Sequence, residues 1–256
     1  MTEVKDVAVV IPAAGRGSRF ARDGWKRPKP LIDTAGKPMV WHVIQNISAD
    51  DSSVYLLMNE GHLESHDTVV SEVRSMVDAV IPVSGITEGT ACTVLLARDH
   101  FDNDYPLLVG NSDQIVDFDV NGFVGDCIER GLDGSILVFR DVTRDPKWSF
   151  ARVDENGLVV EVAEKKPISD LATVGIYFFT RGIDFVDAAQ QMIEADDRVN
   201  GEFYTCPVYN YMIKAGARIG VFEVPEGAMH GIGTPEDLTT YLELRGCSPS
   251  GDRPGG

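Results

Sequence analysis

The sequence lacks long apolar runs, cysteine pairs and a basic signal at its start. None of its apolar stretches approaches the roughly 20 residues that a membrane-spanning helix needs. Cys92, Cys127, Cys206 and Cys247 form no CxxC pair, which argues against a zinc site or a disulfide framework and favours reduced, inert thiols. The first residues carry acids where a secretory signal carries bases. We therefore expect a cytoplasmic protein with no membrane partner.

Basic residues are also scarce, with 23 Lys and Arg against 40 Asp and Glu and a formal net charge of −17. Nucleic-acid binding depends on clustered cations, so the composition predicts no nucleic-acid partner. One basic segment is the exception, and it contains Arg16, Arg19, Arg22, Lys26, Arg27 and Lys29. Its only acid is Asp23. If this protein binds anions, we expect them at this segment.

The length of 256 residues, with 43% hydrophobic and 25% charged residues, is typical of one globular domain. We predict a single domain over residues 1–246 and a disordered tail over residues 247–256. Apolar runs alternate with segments of helical period, which predicts an α/β fold with a mixed, mostly parallel sheet flanked by helices. The predicted strands of the first part are Val7–Ile11, Val54–Met58, Ala79–Val83, Leu107–Val109 and Ser135–Phe139. The predicted helices are Met39–Ile47, Glu60–Met76, Thr90–Asp99 and Val120–Arg130.

The second half is predicted to be richer in strands. Phe150–Val153 and Leu158–Val162 flank the turn "DENG", which predicts a hairpin, and Val174–Phe179 follows as a third strand. The remaining predicted elements are helices Phe185–Glu194, Cys206–Ala215 and Thr234–Leu244 and strand Ile219–Val224. Thr234 is expected to cap the last helix, because Pro235 and acids follow it.

The first predicted strand runs into the segment "PAAGRGSRFARDGWKRPKPLI". Its small residues would let a ligand approach the backbone, and its basic side chains would reach charged groups. It is neither a Rossmann fingerprint, since Phe20 stands where a third glycine is needed, nor a Walker loop. Pro28 and Pro30 flank Lys29 and predict that the lysine lies in an extended segment. A surface loop with solvated arginines is the alternative interpretation.

The two halves of this segment, "AAGRGSR" and "PKPL", resemble the phosphate loop of the sugar-phosphate nucleotidylyltransferases, the family of glucose-1-phosphate thymidylyltransferase. The resemblance runs from about Val7 to about Leu244 and implies a Rossmann-like fold of the GT-A type. It also implies that Arg19 and Lys29 are catalytic and stabilise phosphates during transfer. The nucleotide-binding residues that it implies in this loop are Ala13, Ala14, Gly15, Arg16, Gly17 and Ser18.

Two further motifs resemble the nucleotide half of the family site. In "EGTACTVLLA", the resemblance implies that Gly89 and Thr90 read the nucleobase, although a helix N-cap explains Gly89 equally well. In "LLVGNSDQIVD", Asp113 follows a buried strand at the end where ligands of α/β sheets bind. The resemblance implies that Asp113 holds Mg²⁺ as the cofactor and that Ser112 contacts the nucleotide. Mg²⁺ is commonly held by one or two carboxylates with substrate phosphates.

Later motifs resemble the acceptor half of the family site. They are "WSFARVD", "VAEKKPISDLATVGIYFF" and "GEFYTCPVYNYMIKAG". The resemblance implies that Lys165 is catalytic and holds the acceptor's phosphate. The implied acceptor-binding residues are Trp148, Ser149, Lys166, Gly175 and Glu202. A solvated charge run is the alternative for "EKK", and Glu202 is an alternative cap for the helix that follows it.

The sequence departs from the family near its end. The family has an Asp two residues before "GTP", which supplies a second metal carboxylate, but here Gly231 stands in "MHGIGTPEDL". Neither Met229 nor His230 is a natural magnesium ligand, and we expect His230 to be structural. Either Asp113 suffices with phosphates and water, or Asp117 or Glu202 replaces the missing acid.

Within the family, the residues of these motifs most closely resemble those of a branch found with capsule and phosphonate pathways. That branch includes a CTP:phosphoglutamine cytidylyltransferase. We therefore expect transfer of CMP from CTP to a small anionic acceptor, with release of pyrophosphate. A sugar-1-phosphate uridylyl- or thymidylyltransferase is the nearest alternative. A GT-A glycosyltransferase would be expected to carry an Asp-x-Asp motif, which "NSDQ" lacks, and a non-catalytic nucleotide sensor has its best support in Gly231. A homodimer is left open as the assembly.

Overall fold

The computed structural model describes residues 7–247, so most of the predicted tail lies outside the described residues. The strands before the acceptor half are β1 (Val7–Ala13), β2 (Asp33–Thr34), β3 (Lys37–Pro38), β4 (Ser52–Asn59), β5 (Ala79–Val83), β6 (Leu107–Gly110), β7 (Gln114–Val116) and β8 (Gly134–Arg140). The later strands are β9 (Ser149–Val153), β10 (Val159–Glu164), β11 (Leu171–Phe179), β12 (Ile219–Val224) and β13 (Met229–Gly231).

The helices alternate with these strands along the chain. They are α1 (Ser18–Arg22), α2 (Met39–Ile47), α3 (Glu60–Ser65), α4 (Asp67–Arg74), α5 (Thr90–Leu95), α6 (Val120–Glu129), α7 (Gly182–Glu194), α8 (Val208–Lys214) and α9 (Pro235–Leu244). Short 3₁₀ turns occupy Lys29–Leu31, Arg98–His100 and Glu226–Ala228.

One nine-stranded sheet organises the described residues, with the main order β10-β9-β11-β6-β1-β4-β5. Strand β8 pairs with β11, and β12 pairs with β8. The pairings of β1 with β4 and β6, of β4 with β5 and of β8 with β12 are parallel, whereas those of β11 with β6, β8 and β9 and of β9 with β10 are antiparallel. Only β10 and β11 therefore run against the other strands of this sheet. The predicted mixed, mostly parallel α/β sheet is confirmed.

The central strand β1 is buried on both faces, as parallel strands under two helical layers are. Its alternate residues Val7, Val9 and Ile11 join one core, whereas Ala8 and Val10 join the other. Helices α2, α4, α6 and α9 contribute to the first core, and α5, α7 and α8 contribute to the second. The sheet therefore presents the carboxyl end of β1 at a rigid, doubly covered position.

Helix α2 shows how the sequence pattern positions one part of the site. It begins after Pro38, whose backbone has φ of −56° and ψ of 143°, and its apolar residues lie on one face. These buried residues are Met39, Val40, Val43, Ile44 and Ile47. The helix packs against the 3₁₀ turn Lys29–Leu31, in which Leu31 is fully buried. The turn that carries Lys29 is therefore fixed by packing against α2 and the core.

Several predicted helices end earlier than the hydrophobic period suggested. The predicted helix Glu60–Met76 is divided into α3 and α4, because His66 has a non-helical φ of −135°. The predicted helix Thr90–Asp99 ends at Leu95 and continues as a 3₁₀ turn. The period is the same on both sides of each break, so a pattern of apolar residues does not reveal it.

The predicted hairpin and the predicted last cap both lie where the sequence placed them. Strands β9 and β10 are antiparallel, and Gly157, with φ of 73°, closes their turn by donating its N–H to the Asp154 carbonyl at 3.1 Å. Thr234 caps α9 and accepts a hydrogen bond from the Asp237 N–H at 3.1 Å, with Pro235 in the first turn.

Two short ribbons had no signal in the sequence. Strands β2 and β3 pair with each other, and β7 pairs with β13 in register Met229 with Val116 and Gly231 with Gln114. The second ribbon carries the end of the chain back to the end of β6. Within residues 7–247, no helix has both the length and the apolar character that crossing a bilayer requires.

Candidate active site

A cavity of about 1160 Å³ lies where β1 and β6 end. Ligands of open α/β sheets bind at these carboxyl ends of strands. The cavity continues past the first loop to the start of β9, the end of β10 and the middle of β11. Among the predicted site residues, those that line it are Ala13, Ala14, Gly15, Arg16, Gly17, Ser18, Arg19, Lys29, Gly89, Thr90, Ser112, Asp113, Trp148, Ser149, Gly175 and Glu202.

The first loop is anchored in the core on one side and faces the cavity on the other. Phe20, which replaces the third glycine of a Rossmann fingerprint, is buried and packs edge-on against Trp25 with ring centroids 5.4 Å apart. Arg16 and Arg19 are exposed at the cavity, and neither guanidinium group makes a hydrogen bond or ion pair with another residue of the described range. The loop therefore presents two unpaired guanidinium groups from a fixed base.

Lys29 lies in a turn and not in the extended segment that its flanking prolines predicted. Pro28 is extended, with φ of −57° and ψ of 145°, but Lys29 begins the 3₁₀ turn Lys29–Leu31. The prediction was wrong because the turn uses only the N–H groups of Leu31 and Ile32, which donate to Pro28 and Lys29 at 2.8 and 3.2 Å. Neither proline has to donate, so the turn tolerates both.

The Lys29 side chain passes under the glycine loop and reaches Asp113. A Cβ atom added to Gly17, whose φ is 58°, would lie 3.0 Å from the Lys29 Cβ, so a larger residue there would press on the lysine. The Lys29 Nζ donates to Asp113 Oδ2 at 2.8 Å, and the two side chains are 18% and 27% exposed. Two motifs that are 84 residues apart in the sequence thus meet in one ion pair.

Asp113 is positioned by the segment between β6 and β7 and by the end of the chain. Its carbonyl accepts a hydrogen bond from the Ile232 N–H at 2.9 Å. A Cβ atom at Gly233 would lie 2.6 Å from Asp113 Oδ2, so glycine at this position leaves the space beside the carboxylate open. The neighbouring Ser112 is buried at the cavity wall.

This donor set fits a magnesium ion that completes its shell with substrate. Within residues 7–247 there is no group of three or more His, Cys, Asp or Glu side chains that could hold a metal. Mg²⁺ does not need such a cage, because it is commonly held by one or two carboxylates, phosphate oxygens and water. Asp113 satisfies that requirement, because glycine at position 233 leaves space beside its carboxylate and the same cavity is lined by Arg16 and Arg19.

Gly89 and Thr90 line the cavity, and local packing explains both residues. Gly89 is the N-cap of α5 with φ of 135°, and a Cβ there would lie 2.3 Å from the Phe203 carbonyl oxygen. The Thr90 hydroxyl accepts from the Thr205 N–H at 3.1 Å. The N-cap interpretation of Gly89 therefore has a structural basis, and the reading of a nucleobase stays a prediction.

Gly175 creates an irregularity in β11 at the cavity wall. Its φ is 80°, and a Cβ there would lie 2.1 Å from Asn111 Nδ2 and 2.4 Å from Gln114 Oε1. The pairing of β11 with β8 shifts register between Thr173 and Tyr177, around this glycine. Only a residue without a side chain lets the two amides pack here.

Lys165 and Lys166 are the predicted site residues that do not line the cavity. Both are exposed. Lys165 has a φ of 54°, unusual for a residue with a side chain, and its Nζ donates to the Tyr204 hydroxyl at 2.5 Å. Tyr204 does line the cavity, so Lys165 reaches its edge through that ring.

Glu164 is a cavity residue that sequence reasoning missed, although it directly precedes the predicted Lys165. Burial raises the pKa of its carboxyl, and the hydrogen bond from the Ser149 hydroxyl and the charge of Lys165 oppose that rise. The glutamate of "EKK" was the signal from which the sequence could have predicted this cavity residue. Asn111, Gln114 and Tyr204 also line the cavity without having been predicted.

The structure shows which carboxylates lie near Gly231 and which of them line the cavity. Asp117 lies outside the cavity lining, where its carboxylate pairs with His230 Nε2 at 2.9 Å and with Arg245 at 3.7 Å. Its suggested role as a substitute metal ligand is therefore not supported, and His230 has the structural partner that we expected. The carboxylate nearest to a Cβ at Gly231 belongs to Asp237, at 3.7 Å, and Asp237 lines the cavity.

Glu202 remains at the other end of the cavity, and it does not cap α8. That helix begins at Val208 after Pro207, with no side-chain cap. The backbone of Glu202 instead pairs with Val199. The cap was therefore the wrong alternative for Glu202.

The molecule resembles known proteins over this whole arrangement. A family model described as nucleotidyl transferase matches residues 8–239. The chain is 26% identical to the UTP--glucose-1-phosphate uridylyltransferase AglF of Haloferax volcanii, over 89% of this chain and 92% of that protein. It is 27% identical to the bifunctional protein GlmU of Methanocaldococcus jannaschii over 68% of this chain, and it spans only 40% of the length of that relative.

A solved structure agrees with these sequence relatives. The crystal structure of a nucleoside-diphosphate-sugar pyrophosphorylase from Vibrio cholerae superposes with a TM-score of 0.77 at 26% identity, over 92% of this chain and 99% of that one. The range matched by the family model spans both ends of the cavity, from the first loop to Asp237. On these grounds the chain belongs to the nucleotidyl transferase family.

Proposed function

We propose that this protein is a cytidylyltransferase that transfers CMP from CTP to a small phosphate, phosphoamide or phosphonate acceptor and releases pyrophosphate. The observation that carries the proposal is the meeting of Lys29 and Asp113, at 2.8 Å, inside a cavity that extends to the acceptor half. A phosphate-binding cation and a metal-binding acid are the two groups that nucleotidyl transfer requires near the α-phosphate.

Charge supports binding of the triphosphate at the first loop. A protein of net charge −17 repels polyanions on average, so a triphosphate site needs local cations. Arg16 and Arg19 provide them, since both line the cavity and have no partner among the described residues. In this proposal the remaining nucleotide contacts come from the loop backbone at Ala13–Ser18 and from Gly89, Thr90 and Ser112.

Asp113 is the residue that would hold a magnesium ion, which when bound supplies positive charge against the nucleotide phosphates. Lys29 stabilises the charge that develops on the α-phosphate, and Arg19 neutralises the departing pyrophosphate. Lys165 holds the anionic group of the acceptor after leaving Tyr204, and Lys166 adds charge at the same edge. Trp148, Ser149, Gly175 and Glu202 shape the acceptor pocket.

The reaction needs no covalent intermediate with the protein. An oxygen of the acceptor phosphate or phosphonate attacks the α-phosphorus in line and forms a new P–O bond. The bond from the α-phosphorus to the bridging oxygen breaks, and the pyrophosphate leaves with the electron pair. Because the acceptor is already an anion, the protein's work is positioning and charge neutralisation.

A sugar-1-phosphate uridylyl- or thymidylyltransferase is the second candidate. The likeness to AglF, named as acting with UTP and glucose 1-phosphate, favours it and covers most of both chains. The motifs "NSDQ", "WSFA" and "EKKPISDLATVGIYFF" resemble those of the cytidylyltransferase branch and favour CTP instead. The cytoplasmic location and the assembly remain predictions.

A pyrophosphate-release matrix tests the proposal directly. Purified protein is incubated with Mg²⁺ and each of CTP, UTP, dTTP and GTP against glucose 1-phosphate, a phosphoamide and a small phosphonate. We expect release with CTP and one of the phosphoamide or phosphonate acceptors, and release on the order of a hundredfold slower from the Asp113→Ala variant. Release with UTP or dTTP and glucose 1-phosphate would replace the proposal with the second candidate. Nucleotide binding with no release in any combination would indicate a sensor.

A further inference from the structure

We call the part of the cavity lined by the first loop, Lys29 and Asp113 the nucleotide end. Its cations differ in whether they form an ion pair before any substrate binds. Arg16 and Arg19 have no partner in the described range, whereas Lys29 is already paired with Asp113. The pair is only 18% and 27% exposed, so solvent screens it less than a surface pair. The lysine therefore neutralises the carboxylate that the proposed metal would need.

Lys29 can change partner without moving its backbone. Hydrogen bonds to the carbonyls of Pro28 and Lys29 fix the turn, and Leu31 anchors it in the core. A Cβ added at Gly17 would lie 3.0 Å from the Lys29 Cβ, so the base of the lysine side chain is next to the glycine loop. The outer methylenes are free to rotate, and phosphates bound at that loop would draw the ammonium away from Asp113. Lysine is suited to this exchange because its charge sits on four flexible carbons.

We propose that Lys29 is a placeholder for the divalent cation: it holds Asp113 in the free protein and releases it when nucleotide phosphates attract the ammonium. The inference rests on the proposed function, since it takes Asp113 as the metal-binding acid. Metal binding without nucleotide is weak, because each entering cation must first displace the lysine. Metal and nucleotide therefore bind with positive coupling, and the coupling is reciprocal between the two ligands.

Nucleotide-free binding of Mn²⁺, followed by electron paramagnetic resonance, isolates this effect. We expect Lys29→Met to bind Mn²⁺ at least about tenfold more tightly than the unaltered protein, a size within the usual range of coupling between sites. Lys29→Gln serves as a second neutral variant if the methionine variant is not folded. Thermal unfolding of each variant shows whether it is folded.

Two controls separate the ion pair from a general change of charge. Lys26→Met removes the same charge from an exposed position of the same basic segment, and we expect its Mn²⁺ affinity to change by less than about twofold. Lys29→Met combined with Asp113→Asn should lose the whole gain, because the freed carboxylate is the proposed binding group.

The inference fails if Lys29→Met and Lys29→Gln bind Mn²⁺ no better than the unaltered protein. It also fails if the gain survives in the double variant or is matched by Lys26→Met. None of these measurements contains a nucleotide or an acceptor. Failure here therefore leaves the pyrophosphate-release result standing, and an inactive release matrix leaves the metal titration interpretable.

Discussion

The two ends of the cavity contrast in how their charged groups are satisfied. At the nucleotide end, Arg16 and Arg19 have no partner among the described residues. At the acceptor end, Glu164 accepts from Ser149 and Lys165 donates to Tyr204. The first end is arranged to receive a polyanion, whereas an acceptor must replace existing contacts at the second. Affinity is therefore expected mainly from the nucleotide end, and discrimination mainly from the acceptor end.

The largest effect should come from the pair that defines the nucleotide end. Removing either partner, in Lys29→Ala or Asp113→Ala, should lower kcat/KM on the order of a hundredfold, or ~3 kcal/mol of transition-state stabilisation. Pyrophosphate release measures it. Asp117→Ala is the control, since Asp117 lies outside the cavity lining, and it should stay within about twofold. Near-normal release by Lys29→Ala and Asp113→Ala would remove the basis for the contrast.

The next largest effect concerns stability and tests β11, the irregular strand that lies between the two ends of the cavity. Gly175→Ala should lower the free energy of unfolding by about 3 kcal/mol, because the added Cβ meets Asn111 and the residue keeps a positive φ. Gly157→Ala has a similar φ of 73° and no atom within 4 Å, so we expect only about 1 kcal/mol. Urea unfolding measures both values, and equal losses would mean that the contact with Asn111 is unimportant.

A smaller effect distinguishes an arginine that lines the cavity from one that does not. Arg19→Ala should raise the KM for the triphosphate about tenfold, or ~1.4 kcal/mol, with an unchanged melting temperature. Arg22, whose Nε donates to the Ser18 carbonyl at 3.3 Å, lies outside the cavity lining, and its alanine variant should change KM by less than about twofold. The Arg19 effect should shrink in high salt. Equal KM values for both variants would contradict an anion site at this loop.

The smallest effect concerns Glu164, the partly buried acid of the acceptor end. The native pKa of Glu164 is raised by burial, so its favourable contribution to stability is complete below the ordinary pKa of a glutamate and is lost as the pH rises through the native pKa. As the pH rises from the ordinary pKa of a glutamate through the native pKa of Glu164, the unaltered protein should lose stability relative to Glu164→Gln. The expected difference is below about 1 kcal/mol. Urea unfolding at several pH values measures it, and the opposite trend would show that Glu164 is stabilised as a carboxylate.

Local signals were enough for the nucleotide end. The first loop and Asp113 each directly follow a buried strand, and two parallel neighbours end at the same edge of a sheet. Their proximity therefore follows once β1 and β6 are recognised as adjacent. Glycine positions were informative for the same reason, because Gly175 marks a place where side chains crowd the backbone.

The acceptor end was less predictable because long-range pairing decides it. Nothing in "EKK" reveals that the backbone turns at Lys165, with φ of 54°, so that the side chain meets Tyr204 and not the cavity. The β7–β13 ribbon was invisible for a related reason, since three-residue strands carry no period. The approach of Asp237 to Gly231 depends on that ribbon, so it could not be anticipated either.

The hydrogen bond from Ile232 to the Asp113 carbonyl has a consequence for synthesis on the ribosome. The wall beside Asp113 is translated far later than Asp113 itself, because it comes from the segment that precedes α9. A nascent chain that has folded β1, β4 and β6 still lacks this wall. We expect that nearly the whole chain must leave the ribosome before the nucleotide end closes.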